Sequence, residues 1–279
     1  MGNASCAAAC AAIALCAMAI SASAGEATSG ATRGVGVAAT PDVLDLAAER
    51  YRPQLAAAVE ECLAQSTTMR ERMRAQDLAG AQKAWIAARI GWERAEVFTS
   101  GFTSELDAEI DAWPSAVSGF HFIEARLFGA HQVDALPAAD ALVFHLTNLR
   151  LMVRDTRLTG QGMLEGTAKL AYEIGESKAD GGESRFSGTS IDDMRNNVDG
   201  IETAYRLVFA QELQARDPRL AQGLSDKIAE LRAHLQGGSV AAIDGDQVRR
   251  TSEELVLALQ RAAPTLSLDR PSLSDLAQQ

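Results

Sequence analysis

Cysteine, aromatic residues and long apolar runs are all scarce in this 279-residue chain. Cys6, Cys10 and Cys16 fall in the first sixteen residues, and only Cys62 lies further on. If the start of the chain is a cleaved leader, no intramolecular disulfide can form. Cys62, at helical spacing between Val59 and Leu63, then reads as a small buried hydrophobe. Past residue 25 no apolar stretch approaches the roughly 18 residues that a membrane span needs. Period-two alternation is almost missing too, which argues against β-structure. Basic residues are outnumbered, 26 against 37 acidic, for a net charge of -11. That balance disfavours nucleic acid as a partner and is compatible with cation binding.

Charge is also absent from the first 25 residues, where an Ala-, Ile-, Leu- and Cys-rich run from Ala7 to Ile20 precedes Ala22-Ser23-Ala24. This reads as a signal peptide over residues 1–24 that lacks the usual basic start, and it predicts a periplasmic protein. Cys10 and Cys16 do not sit as a lipoprotein signal requires. Residues 25–39 are Gly, Ala, Ser and Thr with little to pack, and predict a flexible tether. The expected helical domain covers 40–264, followed by a tail over 265–279.

With 47% apolar residues the chain can bury a sizeable core. Three-and-four spacing of apolar residues predicts eight helices. The first starts at Thr40-Pro41-Asp42 and runs to about Arg74, and the second opens near Asp77 and stops before Ser100-Gly101. The third spans Ser118 to Phe128, the fourth begins at Pro137, and the fifth runs from Gly160 through Ile174 to a polar loop at Ala179–Gly188. The sixth opens with Ser190-x-x-Asp193, a capping-box-like start. The seventh begins at Asp217-Pro218, and the eighth ends before Pro264. Eight helices with short links imply an all-α up-and-down bundle, as two four-helix bundles side by side.

His121 and Glu124 are three apart on the third helix, so an imidazole and a carboxylate share one face. Glu93 and Glu96 repeat that spacing on the second, and Glu96 follows Trp85 and Trp92 in the line of the buried stripe. A carboxylate there is costly unless something positive compensates; either Arg89 or a bound cation would serve. Asp107 and Asp111 add two carboxylates just before the His-bearing helix. Such oxygen-and-imidazole donors suit Fe, Mn or Zn. His131 and His145 read as surface or edge residues, His234 as a helix C-terminal residue in a favourable dipole interaction, and Trp85, Trp92 and Trp113 as core and site-wall packing.

The succession Trp92-Glu93-Arg94-Ala95-Glu96, Leu106-Asp107-Ala108-Glu109-Ile110-Asp111 and Gly119-Phe120-His121-Phe122-Ile123-Glu124 resembles that of the imelysin-like family, in particular the peptidase-like domain of EfeO-type iron-uptake proteins. A further block agrees in order and spacing: Ser177-Lys178, Gly181, Glu183, Arg185-Phe186-Ser187, Thr189, Asp193 and Asn197-Val198-Asp199-Gly200. Gly188 and Gly182 depart from it, standing where the family has a His and an acidic residue.

The resemblance implies metal ligands at Glu93 or Glu96, Asp107 or Asp111, His121 and Glu124, with Glu173 approaching from the fifth helix. It implies an iron-binding role, with zinc or manganese as other occupants. It also implies a membrane iron permease and a periplasmic peroxidase of the same uptake system as partners. With about 15 residues between leader and first helix, the expected form is the short one without a cupredoxin domain. A metallopeptidase is the alternative from another class, although the His-Glu-x-x-His arrangement is absent. A helical polysaccharide-binding or scaffold module is the third.

Overall fold

The computed structural model describes residues 42–112 and 117–272, and the leader, the tether, Trp113 and the last part of the tail lie outside them. Helix α1 (Val43–Arg74) starts where Asp42 accepts a hydrogen bond from the Leu44 N–H at 2.8 Å. Helix α2 (Leu78–Phe102) is capped the same way, by Asp77 on the Gly80 N–H at 2.9 Å. Both caps satisfy amide groups that the helix cannot. The two helices form a hairpin that buries Tyr51, Leu55, Val59, Cys62 and Met69 of α1 against Trp85, Ala88, Trp92 and Ala95 of α2.

After Thr103 comes the short α3 (Ser104–Asp111), and beyond the next described residues α4 (Gly119–Glu124) passes into a π-helical turn, Ala125–Gly129. Helix α5 (Leu136–Asp155) packs along α1. Helix α6 (Gly160–Glu173) ends in a second π-turn, Ile174–Lys178. Helix α7 (Ser190–Ala204) continues through a third, Tyr205–Phe209, into α8 (Ala210–Arg216). Helices α9 (Pro218–His234) and α10 (Gly245–Thr265) complete the chain. The protein is all-α, with no strand among the described residues. Helices α6, α7, α9 and α10 pack in a ring, and α1, α2 and α5 with the short α3 and α4 form a second group. Helix α2 belongs to both, because it packs on α1, α6 and α7 at once.

The structure differs from the sequence expectation in three places. Helix α3 was not foreseen: its single fully buried residue, Ile110, gives no periodic stripe. Helix α2 runs past Ser100-Gly101 to Phe102. Gly101 is a contact residue there, letting the Gly162 carbonyl of α6 approach where a Cβ would stand. Pro264 does not stop α10, because it sits in the last turn with Thr265 still helical.

Gly166 repeats the close approach from the other side, facing the Val97 carbonyl and the Gly101 amide. Replacing it with Ala forces α6 off α2 and should destabilise the fold by about 1–3 kcal/mol, the range for overpacking. Gly223 is exposed on α9 with nothing within 4 Å of a built Cβ. Gly223→Ala should stabilise by roughly 0.5–1 kcal/mol through helix propensity. Urea midpoints of the two variants moving in opposite directions would confirm the contact, and equal shifts would refute it.

Candidate metal centre

Arg89, Glu93 and Glu96 lie four and three residues apart on α2, so the helix period puts all three on one stripe. All are buried, at 1%, 0% and 4% exposure. Charges so placed are tolerated only when paired, and residues from four other segments converge to pair them. The Arg89 guanidinium bonds Glu93 and Asp111 and lies 3.6 Å from both Glu183 and Asp193. Its flat face rests over the Phe120 ring, 5.2 Å from the centroid. Lys178, delivered by the π-turn after α6, places Nζ 2.8 Å from Glu93 Oε2, 3.2 Å from Glu96 Oε2 and 3.4 Å from Glu183 Oε1. From α7, Asn197 Nδ2 donates to the same Glu93 and Glu96 oxygens at 2.6 and 2.8 Å.

Opposite this ion-paired half stands an imidazole with two carboxylates. Gly119, at φ +68°, turns the chain into α4 against the Ile110 carbonyl, which brings His121 over the end of α3. His121 Nε2 is 3.3 Å from Asp111 Oδ1 and 3.5 Å from Glu183 Oε1. One ligand atom from each of Asp111, His121 and Glu183 lies within 4.8 Å of the other two. An ion with bonds of about 2.0–2.2 Å holds neighbouring donors roughly 3 to 3.5 Å apart, and the two edges that meet at His121 Nε2 fall in that range.

The donors are held from behind. Trp92 Nε1 donates to Asp111 Oδ2 at 2.7 Å, and Ser177 Oγ to Glu183 Oε2 at 3.1 Å. Glu124 Oε2 faces His121 Nδ1 at 3.5 Å. Its other oxygen accepts from Phe186 N, Ser187 N and Ser187 Oγ at 3.0, 2.8 and 2.8 Å. That is the carboxylate–histidine pairing which fixes a metal-binding imidazole.

The seven carboxylate and imidazole candidates read from the sequence therefore divide. His121 and Asp111 meet in the triangle; Glu124 lies directly behind it. Glu93 and Glu96 face Lys178 and Asn197. Asp107 and Glu173 flank Lys169, 3.7 and 3.6 Å from its Nζ, along a cleft of about 640 Å³. Glu96, Asp111, Lys178 and Glu183 also line that cleft, so it opens onto the triangle. Sequence reasoning missed Glu183, Lys178, Asn197 and Asp193 as site residues. Asp193 makes no capping box: it accepts from Ser184 Oγ at 2.5 Å, while Ser190 Oγ takes the Ser184 N–H at 3.2 Å. Glu183, Lys178, Asp193 and Asn197 all stand in the second family-like block, which was their one signal.

Burial lowers the affinity of His121 for its proton, but the Asp111 charge and the hydrogen bonds that the imidazolium donates to Glu124 and Glu183 outweigh it and raise the pKa to about 10. Glu183 goes the other way. Burial pushes its carboxyl up, yet Lys178 and His121 together hold it well below the usual range. Burial also pushes Glu173 up, to about 7, against the pull of Lys169.

Since an unfolded His titrates near about 6.5, the imidazolium stabilises the metal-free fold fully below that pH and loses its contribution as pH rises toward 10. The metal-free protein should therefore lose stability between pH 7 and 10, and the part due to His121 should vanish in His121→Ala. Imidazole nitrogen NMR should show His121 still protonated at pH 8; titration near pH 6.5 would overturn the assignment.

Comparison with known proteins places the chain among iron-uptake and imelysin relatives. The chain is 26% identical over 189 residues to the iron uptake system component EfeM of Pseudomonas syringae pv. syringae, covering 64% of this chain and 66% of that one. It is 28% identical over 173 residues to an Efem/EfeO family lipoprotein of Staphylococcus haemolyticus, covering 57% and 60%. The matched part thus spans less than two thirds of either relative. A solved structure described as an iron-regulated protein A precursor, from Parabacteroides distasonis, shares the fold at a TM-score of 0.64 and 15% identity, over 83% of this chain and 96% of that one. The family model for imelysin, peptidase M75, matches residues 47–116 and 115–266, most of the helical bundle on which the buried charges converge, and the chain belongs to that family.

Proposed function

We propose that this protein captures iron as cargo at Asp111, His121 and Glu183 and passes it to a membrane iron permease. The observation that carries the reading is the triangle itself, with two carboxylate oxygens and one imidazole nitrogen at metal-ligand spacing and a cleft in front. Hard and borderline donors of this kind suit Fe, and equally Mn or Zn. The iron-uptake names of the relatives favour iron among these. Three protein donors leave coordination positions toward the cleft for water, which suits an ion that must come and go.

Capture by such a site has a direct chemical consequence. His121 must give up its proton before Nε2 can bind an ion, so binding releases a proton and strengthens as pH rises. Asp107 and Glu173, along the cleft, offer the arriving ion a first pair of carboxylates. In this reading residues 1–24 direct export to the periplasm, residues 25–39 tether the domain over 40–264, and a periplasmic peroxidase is a further partner. Hydrolysis would need a general base with a pKa near the working pH. Glu183 is held well below the usual range and is unsuited to that task, while Glu173, raised to about 7, lines the same cleft, so the binding reading rests on the triangle and on the relatives' names.

The test is an anaerobic Fe2+ titration of the purified protein by calorimetry, with Zn2+ and Mn2+ in parallel. Asp111→Asn, His121→Ala and Glu183→Gln should each weaken binding at least tenfold at unchanged helical content. Glu124→Gln should cost about 10- to 100-fold through its hold on the imidazole. Near pH 8 roughly one proton should leave per ion bound. A wild type that takes up no metal, or triangle variants that bind as wild type does, would remove the reading.

A further inference from the structure

Glu183 Oε1 has three cationic neighbours, one of them Arg89 Nη2 at 3.6 Å. It lies 3.5 Å from His121 Nε2 at the edge of the triangle and 3.4 Å from the Lys178 ammonium on its other side. That ammonium also touches Glu93 Oε2 at 2.8 Å and Glu96 Oε2 at 3.2 Å. Lys178 is 2% exposed and Glu93 fully buried. Asn197, also fully buried, gives its Nδ2 to both carboxylates, while its Oδ1 has no hydrogen-bond partner among the described residues. Around Nζ there are thus three carboxylate oxygens from three side chains, with an unused amide oxygen on a fourth. Such oxygens are the donors that a hard divalent cation takes. Glu183 stands between this position and the triangle as a bridging carboxylate stands between the paired ions of two-metal sites, which lie about 3.5–4 Å apart.

We infer that Lys178 is a built-in cation filling the second position of a two-metal carboxylate site, and that it makes the centre bind one ion instead of two. The inference rests on the assignment of the triangle as the iron site. The ammonium supplies a fixed single charge which cannot dissociate, so Glu93, Glu96 and Glu183 each keep a cationic partner without metal. A lysine point charge with three rotatable donors meets three carboxylates at once. The π-turn Ile174–Lys178 serves this end by carrying the side chain inward, where it is buried beside α2. Lys178 is therefore a positioning and stoichiometry-setting residue, with no contact to the captured ion.

Shortening Lys178 should vacate the second position and let a second ion enter. The experiment loads wild type, Lys178→Ala, Lys178→Met and Lys178→Arg with excess Mn2+, removes free metal on a desalting column, and counts bound metal per protein by elemental analysis. Calorimetry gives the stoichiometry independently, and circular dichroism checks the fold. Wild type and Lys178→Arg should hold one ion, and Lys178→Ala two, with the electron paramagnetic resonance of the pair broadened by coupling between neighbouring Mn2+ ions. Lys178→Met, whose longer side chain still fills the space, should hold fewer than Lys178→Ala. Added ethylammonium should return Lys178→Ala toward one ion, which a merely structural role of Lys178 would not produce. Two ions in the wild type, or one in a folded Lys178→Ala, overturn the inference while leaving the triangle standing. No ion in the wild type overturns the triangle and the inference together. Should Lys178→Ala fail to fold, a second ion gained by Lys178→Gln carries the inference, and a single ion in that variant overturns it.

Discussion

Negative charge buried among helices is the constraint on which the rest of this structure depends. Glu93, Glu96, Glu124, Glu183, Asp193 and the Asp111 side chain are all nearly inaccessible, and Arg89 and Lys178 are the permanent cations among them. Breaking a buried ion pair costs about 3–5 kcal/mol, because the surviving partner is left uncompensated. Apart from the Arg89–Glu93 pair within α2, the compensation by these two cations crosses between elements. Arg89 on α2 serves carboxylates from α2, α3, α7 and the loop before α7, and Lys178 serves α2 and that same loop. The bundle is therefore pinned at its centre by charge as well as by apolar packing, and displacing one element strands a charge on another. Six carboxylates against two permanent cations also leave a deficit. The raised pKa of His121 is one response of the metal-free protein to it; burial also pushes Glu96 up and Asp193 up to about 7.

Two of the three π-turns among the described residues adjoin this network. The π-turns Ala125–Gly129 and Ile174–Lys178 directly follow Glu124 and Glu173, and the second carries Lys178 itself. A π-turn closes i to i+5 and is rare except as a single turn inside a helix, often at a functional site. Its extra residue rotates the side chains after it relative to those of an unbroken α-helix. Glu173 can then line the cleft while Lys178, five residues later, reaches the carboxylates of α2. Gly101, Gly162 and Gly166 let α6 lie close enough to α2 for that side chain to bridge the gap.

The sequence shows these features unequally, and the reason is range. Apolar periodicity exposes the eight longer helices, since burial of one face is a local signal repeated over several turns. Helix α3 is only eight residues long with one buried position, so it leaves no period to read. His121 and Asp111 are legible as donors because their type and neighbourhood suffice. Glu93 and Glu96 share the same i, i+3 spacing as His121 and Glu124, and nothing local separates an ion-paired carboxylate from a ligand. What separates them is Lys178, more than 80 positions away in the chain. Glu183 lies in a polar loop, where residue spacing has no geometric meaning. Asp193 misleads because a Ser-x-x-Asp at a helix start looks like a cap, whereas its carboxylate is turned inward to Ser184 and Arg89.

If the proposed role holds, the same arrangement explains why such a centre should be only partly a metal site. Structural zinc sites close four protein donors around the ion, and their affinity becomes folding energy that chelators must overcome. A carrier in that condition could not release what it holds. Here Arg89 and Lys178 already engage the oxygens of Asp111 and Glu183, so an arriving ion competes with two permanent cations for them and must also displace the proton on His121. Each competitor weakens retention without altering which ions fit. The cleft pulls the other way: seven acidic residues line it against Lys169 and Lys178, and an excess of acidic groups in a cleft draws cations in and speeds their arrival. In the proposed role, fast arrival combined with moderated retention gives a centre that loads readily and can still be emptied by a partner which brings its own carboxylates to the cleft.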